Sequence, residues 1–239
     1  MIFDQQEFDI RFEWGKKGID ILAPISDVVI IVDVLSFTTS VDIAVGRGAT
    51  VFPYAGPAEA VVAYAASVEA ELADSHRGHS RYSLSPESLL NISAGTRLVL
   101  PSPNGSTLTL AARPTPVLAG CLRNAQAVAS AATQLGSQIA VIAAGERWKD
   151  DYSLRPSFED WLGAGAIIHY LTGQLSPEAM SAAATFRTLQ SEMGDLLQQC
   201  SSGKELIARG FANDVILAAQ LNVSDCAPLL LDEAYTRAR

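Results

Sequence analysis

Val28-Val29-Ile30-Ile31-Val32-Asp33-Val34-Leu35-Ser36-Phe37-Thr38-Thr39-Ser40 is the stretch from which the rest of this chain is read. An unbroken run of β-branched residues, with no polar alternation, reads as a strand buried on both faces. The run ends in an acid, and hydroxyl side chains follow at once. In open α/β sheets ligands bind beyond the carboxyl ends of the strands, so Asp33 is expected where the sheet opens to solvent. The hydroxyls lead into a helical pattern over 38–45 and therefore fall at a helix N-terminus, a place suited to anions. A carboxylate beside an anion pocket points to metal-assisted phosphate chemistry.

Working outward, strand and helix patterns take turns. The helix is stopped by Gly46-Arg47-Gly48, and residues 49–54 read as a second strand, so 28–54 is expected to form a compact βαβ unit. Upstream, residues 8–22 alternate loosely through Phe8, Ile10, Phe12 and Trp14 and read as an edge strand or hairpin. Residues 97–100, 116–120 and 138–144 read as further strands. Over 124–135, Ala125, Val128, Ala129, Ala132 and Leu135 share one helix face. The segment 74–88 holds His76, Arg77, His79, Arg81 and several serines with little periodicity, and reads as a long loop of the kind that carries function. The last third reads as mostly helical. The expected fold class is α/β, a mainly parallel sheet flanked by helices with a helical C-terminal third. Residues 1–239 read as a single α/β unit; two intimately packed α/β subdomains are the alternative, and no linker marks a boundary between them.

Bulk composition narrows the functions. Of 239 residues, 49% are hydrophobic and 18% charged, which excludes a largely disordered chain. The net charge of -9 and the absence of any Lys/Arg run argue against nucleic acid and anionic membrane as partners. No apolar run approaches the roughly 20 residues of a spanning helix. Cys121, Cys200 and Cys226 are odd in number and far apart, neither a disulfide framework nor a zinc site, as expected of a cytoplasmic protein. The expected partner is a small anionic phosphate ester. A homodimer is left open.

The candidate site is the set of strand ends. One strand delivers Asp33 with Ser36, Thr38 and Thr39; another delivers Asn104-Gly105-Ser106; a third Arg123-Asn124; a fourth Gly145-Glu146-Arg147. In a parallel sheet these ends share one edge. Asp33 and Glu146 are oxygen donors suited to Mg²⁺, with Glu159 and Asp160 at a helix start as further carboxylate candidates. Backbone N–H groups around Thr38-Thr39 and Asn104-Gly105-Ser106, with Asn124, are candidates to hold phosphate oxygens. Arg123 offers a planar cation for a phosphate or carboxylate. Either a metal-bound water or Asp33 itself is a candidate nucleophile. Each residue also has a local structural reading. Asp33 could cap a helix, Asn104-Gly105 is a common turn dipeptide, and Glu159 and Asp160 suit a helix macrodipole.

Asp33-Val34-Leu35 with Thr38-Thr39, then Pro103-Asn104-Gly105-Ser106, then Arg123-Asn124-Ala125, resemble in order the 2-phosphosulfolactate phosphatase family. So do Ala143-Ala144-Gly145-Glu146, Phe158-Glu159-Asp160, Ser202-Gly203-Lys204-Glu205-Leu206, Gly210-Phe211 and Asp214-Val215. The resemblance covers nearly the whole chain. It implies an α/β fold and Mg²⁺-dependent hydrolysis of a phosphate ester of a small sulfonated hydroxy acid, giving sulfolactate, a compound of coenzyme M-type sulfonate metabolism. Two departures stand out. The family usually carries an Arg where this chain has Ser36, and a Ser cannot replace that charge. Its Gly-Glu-Arg and Gly-Asn-Ser-Pro stretches are matched here only by Arg77 and by Ser85-Pro86. The alternative function is therefore a relative that binds a phosphorylated or sulfonated small molecule without turnover, or with shifted specificity. In that last case the 74–88 loop would supply Arg77 or Arg81 in place of the missing guanidinium.

Overall fold

Val28–Val32 is a strand with every residue buried, and its side chains divide by the period of two that a strand imposes. Val28, Ile30 and Val32 enter one hydrophobic core, Val29 and Ile31 the other. The strand is therefore central, with helices on both faces. The computed structural model describes residues 2–74, 77 and 81–238; His76 and His79 lie outside the described residues.

In chain order the first half contains β1 (Ile10–Trp14), α1 (Gly15–Leu22), β2 (Val28–Val32), α2 (Phe37–Gly46), β3 (Thr50–Tyr54), α3 (Val61–Ser67), β4 (Glu71–Leu72), β5 (Arg97–Pro101) and α4 (Gly105–Ala111). The middle holds β6 (Val117–Gly120), α5 (Ala125–Leu135), β7 (Ile139–Ala143), β8 (Glu146–Arg147) and β9 (Leu154–Arg155). Then come α6 (Phe158–Tyr170), α7 (Pro177–Leu189), α8 (Met193–Gln199), α9 (Ser201–Ala208), α10 (Ala212–Ala218), β10 (Pro228–Leu231) and β11 (Ala234–Arg237). Nine strands form one sheet in the order β1-β7-β2-β6-β10-β11-β3-β5-β4, and β8 and β9 make a separate two-stranded ribbon. The α/β class and the predominance of parallel pairing agree with the sequence reading.

Of the two readings of residues 8–22 the edge strand holds: Ile10–Trp14 pairs in parallel with β7 at the sheet edge, and a helix follows. Two expectations are corrected. The C-terminal third, mostly helical, also ends in an antiparallel hairpin, β10–β11, and this hairpin enters the middle of the sheet. Consequently β2 and β3 do not form a βαβ neighbour pair, because β6, β10 and β11 lie between them. The hairpin also changes direction. The pairings β6/β10, β10/β11 and β11/β3 are all antiparallel, so the β3-β5-β4 block runs opposite to the β1-β7-β2-β6 block. A flat sheet would then put the ends of β2 and β5 on opposite edges. The two ends nonetheless meet: Gly105 N–H, after β5, donates to Asp33 Oδ2, after β2, at 2.9 Å.

One face of the sheet is covered by α5, α6 and α7, the other by α1, α2 and α4. Small residues let α6 sit close on both sides. A Cβ on Gly163 would lie 2.6 Å from Val34 Cγ2, and one on Gly165 would lie 2.2 Å from the carbonyl oxygen of Ala182 in α7. Helix α2 is buried along almost its whole length, polar residues included. Its hydroxyls all donate to backbone carbonyls, since buried ones need a partner. Thr38 Oγ1 donates to the Asp33 carbonyl at 2.8 Å, Thr39 Oγ1 to the Val34 carbonyl at 2.7 Å, and Ser40 Oγ to the Leu84 carbonyl at 2.9 Å.

Because the Ala182 carbonyl is fixed backbone, Gly165→Ala is expected to lower the unfolding free energy by about 1–3 kcal/mol. Gly194→Ala, whose Cβ meets open space within a helix, should stabilise by up to about 1 kcal/mol. Urea unfolding of both variants checks this, and an unchanged midpoint for Gly165→Ala would show that α6 and α7 do not cross so closely.

Candidate active site

The acid that closes the central strand is held by two helix starts. Asp33 is 7% exposed. Its Oδ1 accepts the N–H of Phe37, first residue of α2, at 3.1 Å, and its Oδ2 accepts the N–H of Gly105, first residue of α4, at 2.9 Å. The helix N-terminus foreseen for a ligand's anion is thus occupied by the protein's own carboxylate. The approach of Gly105 requires glycine: a Cβ there would lie 2.2 Å from the Phe37 ring. The turn is fixed from behind. Gly105 N–H also reaches Ser102 Oγ at 3.1 Å, and Thr109 Oγ1 donates to the Gly105 carbonyl at 2.7 Å. Since Thr109 spends its one proton there, Tyr235 of β11 donates to Thr109, at 2.8 Å.

The neighbouring residue binds the second carboxylate. Asn104 Nδ2 donates to Glu146 Oε2 at 3.1 Å, so the Asn104-Gly105 dipeptide touches both Asp33 and Glu146. Burial pushes the Asp33 carboxyl up to about 6, against the two N–H bonds that favour its charge, with Glu159 adding repulsion. Burial also pushes Glu146 up to about 7, with the nearby Asp33 charge as the next cause. Burial is thus the first cause at both acids, and the Asp33 charge is felt at Glu146.

Asp160 serves the scaffold. Its carboxylate accepts Val34 N–H at 2.7 Å, Gly145 N–H at 2.9 Å and Ser157 Oγ–H at 2.8 Å. It thereby joins the turns after β2 and β7 to the start of α6, and burial holds its own carboxyl well above the usual range. Glu159 is buried beside it, with Cys200 Sγ at 3.5 Å as a weak donor, and lines a side pocket rather than the main cleft.

Five other predicted residues are placed away from the reacting groups. Arg123 Nε pairs with the buried Asp42 of α2 at 3.1 Å, and its Nη1 bonds the Leu217 carbonyl and the Gln220 side chain. It staples α2 to the C-terminal region. Asn124 is spent on its own turn: Oδ1 accepts Cys121 N–H at 2.9 Å and Nδ2 donates to the Ala119 carbonyl at 3.2 Å. Ser106 Oγ donates to the Leu100 carbonyl at 2.9 Å. The Thr38 and Thr39 hydroxyls are likewise taken by backbone; the N–H of Thr38 goes to the Asp33 carbonyl at 2.9 Å. Of the four strand ends, the structure brings together those of β2, β5 and β7, while that of β6 stays outside.

A cleft of about 880 Å³ opens over Asp33, Ser36, Asn104 and Glu146. In a chain of net charge -9, its wall gathers Arg77, Arg147, Lys149, Arg155 and Arg209. Most of these were missed in sequence, where isolated basic residues carry no periodic signal. The β8–β9 ribbon supplies Glu146, Arg147 and Arg155, and α9 supplies Ser202, which accepts from Arg155 Nη2 at 3.2 Å. Among the described residues, no three His, Cys, Asp or Glu side chains converge as a self-sufficient metal cage. Mg²⁺ does not need one: it commonly uses one or two carboxylates with waters and substrate phosphate. The under-compensated pair Asp33 and Glu146 fits that ion.

The 2-phosphosulfolactate phosphatase family profile matches residues 21–233. A Gloeobacter violaceus protein named a probable 2-phosphosulfolactate phosphatase is 30% identical over 213 residues, 84% of this chain and 87% of its own. A Carboxydothermus hydrogenoformans protein of the same name is 31% identical over 209 residues, 84% of each chain. A Methanothermobacter thermautotrophicus protein named 2-phosphosulfolactate phosphatase is 30% identical over 138 residues, 58% of each. With the family profile matched over residues 21–233 and relatives of this name covered over most of their length, the chain belongs to the 2-phosphosulfolactate phosphatase family, enzymes that act on a phosphate monoester.

Proposed function

We propose that this protein hydrolyses 2-phosphosulfolactate to sulfolactate and phosphate with Mg²⁺ in the cytoplasm. The observation that carries the reading is the pair Asp33 and Glu146, held by adjacent residues of one turn beneath a wall of cations. The substrate bears phosphate, sulfonate and carboxylate groups, and an acidic protein can attract it only through such a local positive field. Held through Asp33 with waters and substrate phosphate, and close to the Glu146 charge, Mg²⁺ would offset the charge gathered on the phosphoryl oxygens. Asp33, fixed by Phe37 and Gly105, orients the reacting group without needing to move. Glu146, with a carboxyl near neutrality, is poised to carry a proton. It takes one from the attacking water as the new P–O bond forms. The C2 oxygen of the leaving hydroxy acid, on the opposite side of phosphorus, takes its proton from solvent as the old P–O bond breaks, and Glu146 gives its proton back to solvent. The water's other proton stays on the phosphate.

A second reading, shifted specificity, is favoured by Ser36 in the place where the family usually has Arg. On this reading the protein turns over a different small anionic phosphate ester.

Purified protein with Mg²⁺ should release phosphate from 2-phosphosulfolactate faster than from generic phosphate esters, and chelator should stop it. Glu146→Gln should lower kcat by about 10²–10⁴-fold, and Asp33→Asn should abolish turnover. Release only from another ester would support shifted specificity. Absence of metal-dependent turnover across a broad panel would leave a binding protein without chemistry.

The raised carboxyls also set a pH dependence of stability. Each acid holds its proton more tightly when folded. Its contribution is therefore fully present below the ordinary carboxylate range, near pH 4, and is lost as pH rises to about 6 for Asp33 and about 7 for Glu146. Glu146→Gln should match wild type near pH 4.5 and exceed it above pH 7.5 by up to about 3 kcal/mol in metal-free urea unfolding. Millimolar Mg²⁺ should raise the wild-type midpoint at pH 7.5 and close the gap. A variant that gains nothing at high pH would show that Glu146 is not strained by its charge.

A further inference from the structure

Arg77 occupies a position that neither the proton transfer nor the metal site explains. It comes from the aperiodic loop, yet its side chain is only 9% exposed, and it is ion-paired through Nη1 with Asp214 of α10, which is wholly buried. The same carboxylate accepts Ser85 Oγ–H at 2.6 Å and Glu87 N–H at 3.1 Å. One acid thus pins the loop at three points. The guanidinium rests against the Phe211 ring, its carbon 5.6 Å from the ring centroid, and Nη2 donates to Ser36 Oγ at 3.0 Å. Ser36 lies in the turn between Asp33 and α2, and Arg77, Ser36 and Asp33 line the same cleft.

The other cleft cations are placed differently. Lys149 is 90% exposed and faces Glu205 at 3.6 Å, and Arg155 is on Ser202 and the Trp148 ring. Arg123, the guanidinium expected to clamp the anion, pairs with Asp42 away from the cleft, whose lining includes Arg77. Arg77 is the one whose planar fork is held on three sides and set beside the turn that carries Asp33. A guanidinium fixed in this way recognises tetrahedral oxyanions through paired N–H groups.

We propose that Arg77 grips the phosphoryl group of the substrate and that Asp214 is the residue that positions it. The assignment rests on the phosphate-ester reading of the cleft. Ser36 then acts as a stop that keeps the fork oriented, and the loop and α10 become parts of the phosphate site through a single buried acid.

Binding measurements in Mg²⁺ separate this assignment from the catalytic reading. By calorimetry, inorganic phosphate and sulfolactate probe the two ends of the substrate independently of turnover. Arg77→Lys and Arg77→Ala should weaken phosphate binding by about 10- to 100-fold and leave sulfolactate within about twofold. Asp214→Asn should weaken phosphate with the same selectivity, and combining it with Arg77→Ala should add nothing, since both act through one group. If Arg77→Ala does not fold, Arg77→Lys decides, because it keeps the charge and loses the fork. Selective loss of sulfolactate, equal loss of both ligands, unchanged phosphate binding, or additive effects of the two sites would overturn the proposal. Wild-type protein that binds phosphate but releases none from any ester would overturn the catalytic reading and leave this one standing; wild type that binds no phosphate would overturn both.

Discussion

The Asp33 carboxylate, shared between the N–H of Phe37 and the N–H of Gly105, is the contact on which the arrangement of the site depends. Those two N–H groups begin helices that follow strands from opposite blocks of the sheet. Charged hydrogen bonds of this kind contribute about 1.5–3 kcal/mol each, yet burial outweighs them and leaves the carboxyl pushed up to about 6. The site is thus organised around an acid whose charge the protein orients but does not neutralise. Glu146 stands in the same condition. A proton or a cation at either carboxyl would relieve the burial of its charge.

The supports of this contact come from far along the chain. The C-terminal hairpin enters the centre of the sheet and sets Tyr235 under Thr109, which in turn holds the Gly105 carbonyl. Asp160 ties the turns after β2 and β7 to α6, and the glycines of α6 allow that helix to lie close enough to do so. Loss of any of these would move the Asn104-Gly105 turn relative to Asp33 or Glu146. Positioning to within about half an ångström is what catalytic groups need, which is why so much of the polar core serves the scaffold and not the substrate.

Part of the site was readable in the sequence. Asp33 at the end of an all-β-branched run, Glu146 at the end of another buried strand, and Asn104-Gly105 after a third were each marked by a change from apolar run to polar turn. Thr38, Thr39, Ser106 and Asn124 carried the same mark and proved to serve the backbone, because short polar side chains at helix starts find partners a few residues away. Arg123 had the right chemistry and the right strand end, but Asp42, 81 residues earlier, claims it. Arg77 was legible only as a match to a family motif, and nothing in the spacing linked it to Asp214, 137 residues on.

What the sequence determined by itself was whatever depends on neighbours in the chain: buried strands, the alternation with helices, the α/β class, and acids and turns at strand ends. Tertiary structure decided what depends on distant pairing. The β10–β11 hairpin was hidden because its strands are short, begin at Pro228, and meet at Asp232-Glu233 without the glycine that marks tight hairpins. Its insertion reverses the β3-β5-β4 block, so the β2 and β5 ends meet through the Asp33–Gly105 contact and not along a shared parallel edge. The choice among chemically equivalent arginines was likewise made in three dimensions, by which of them the fold sets in the wall of the cleft.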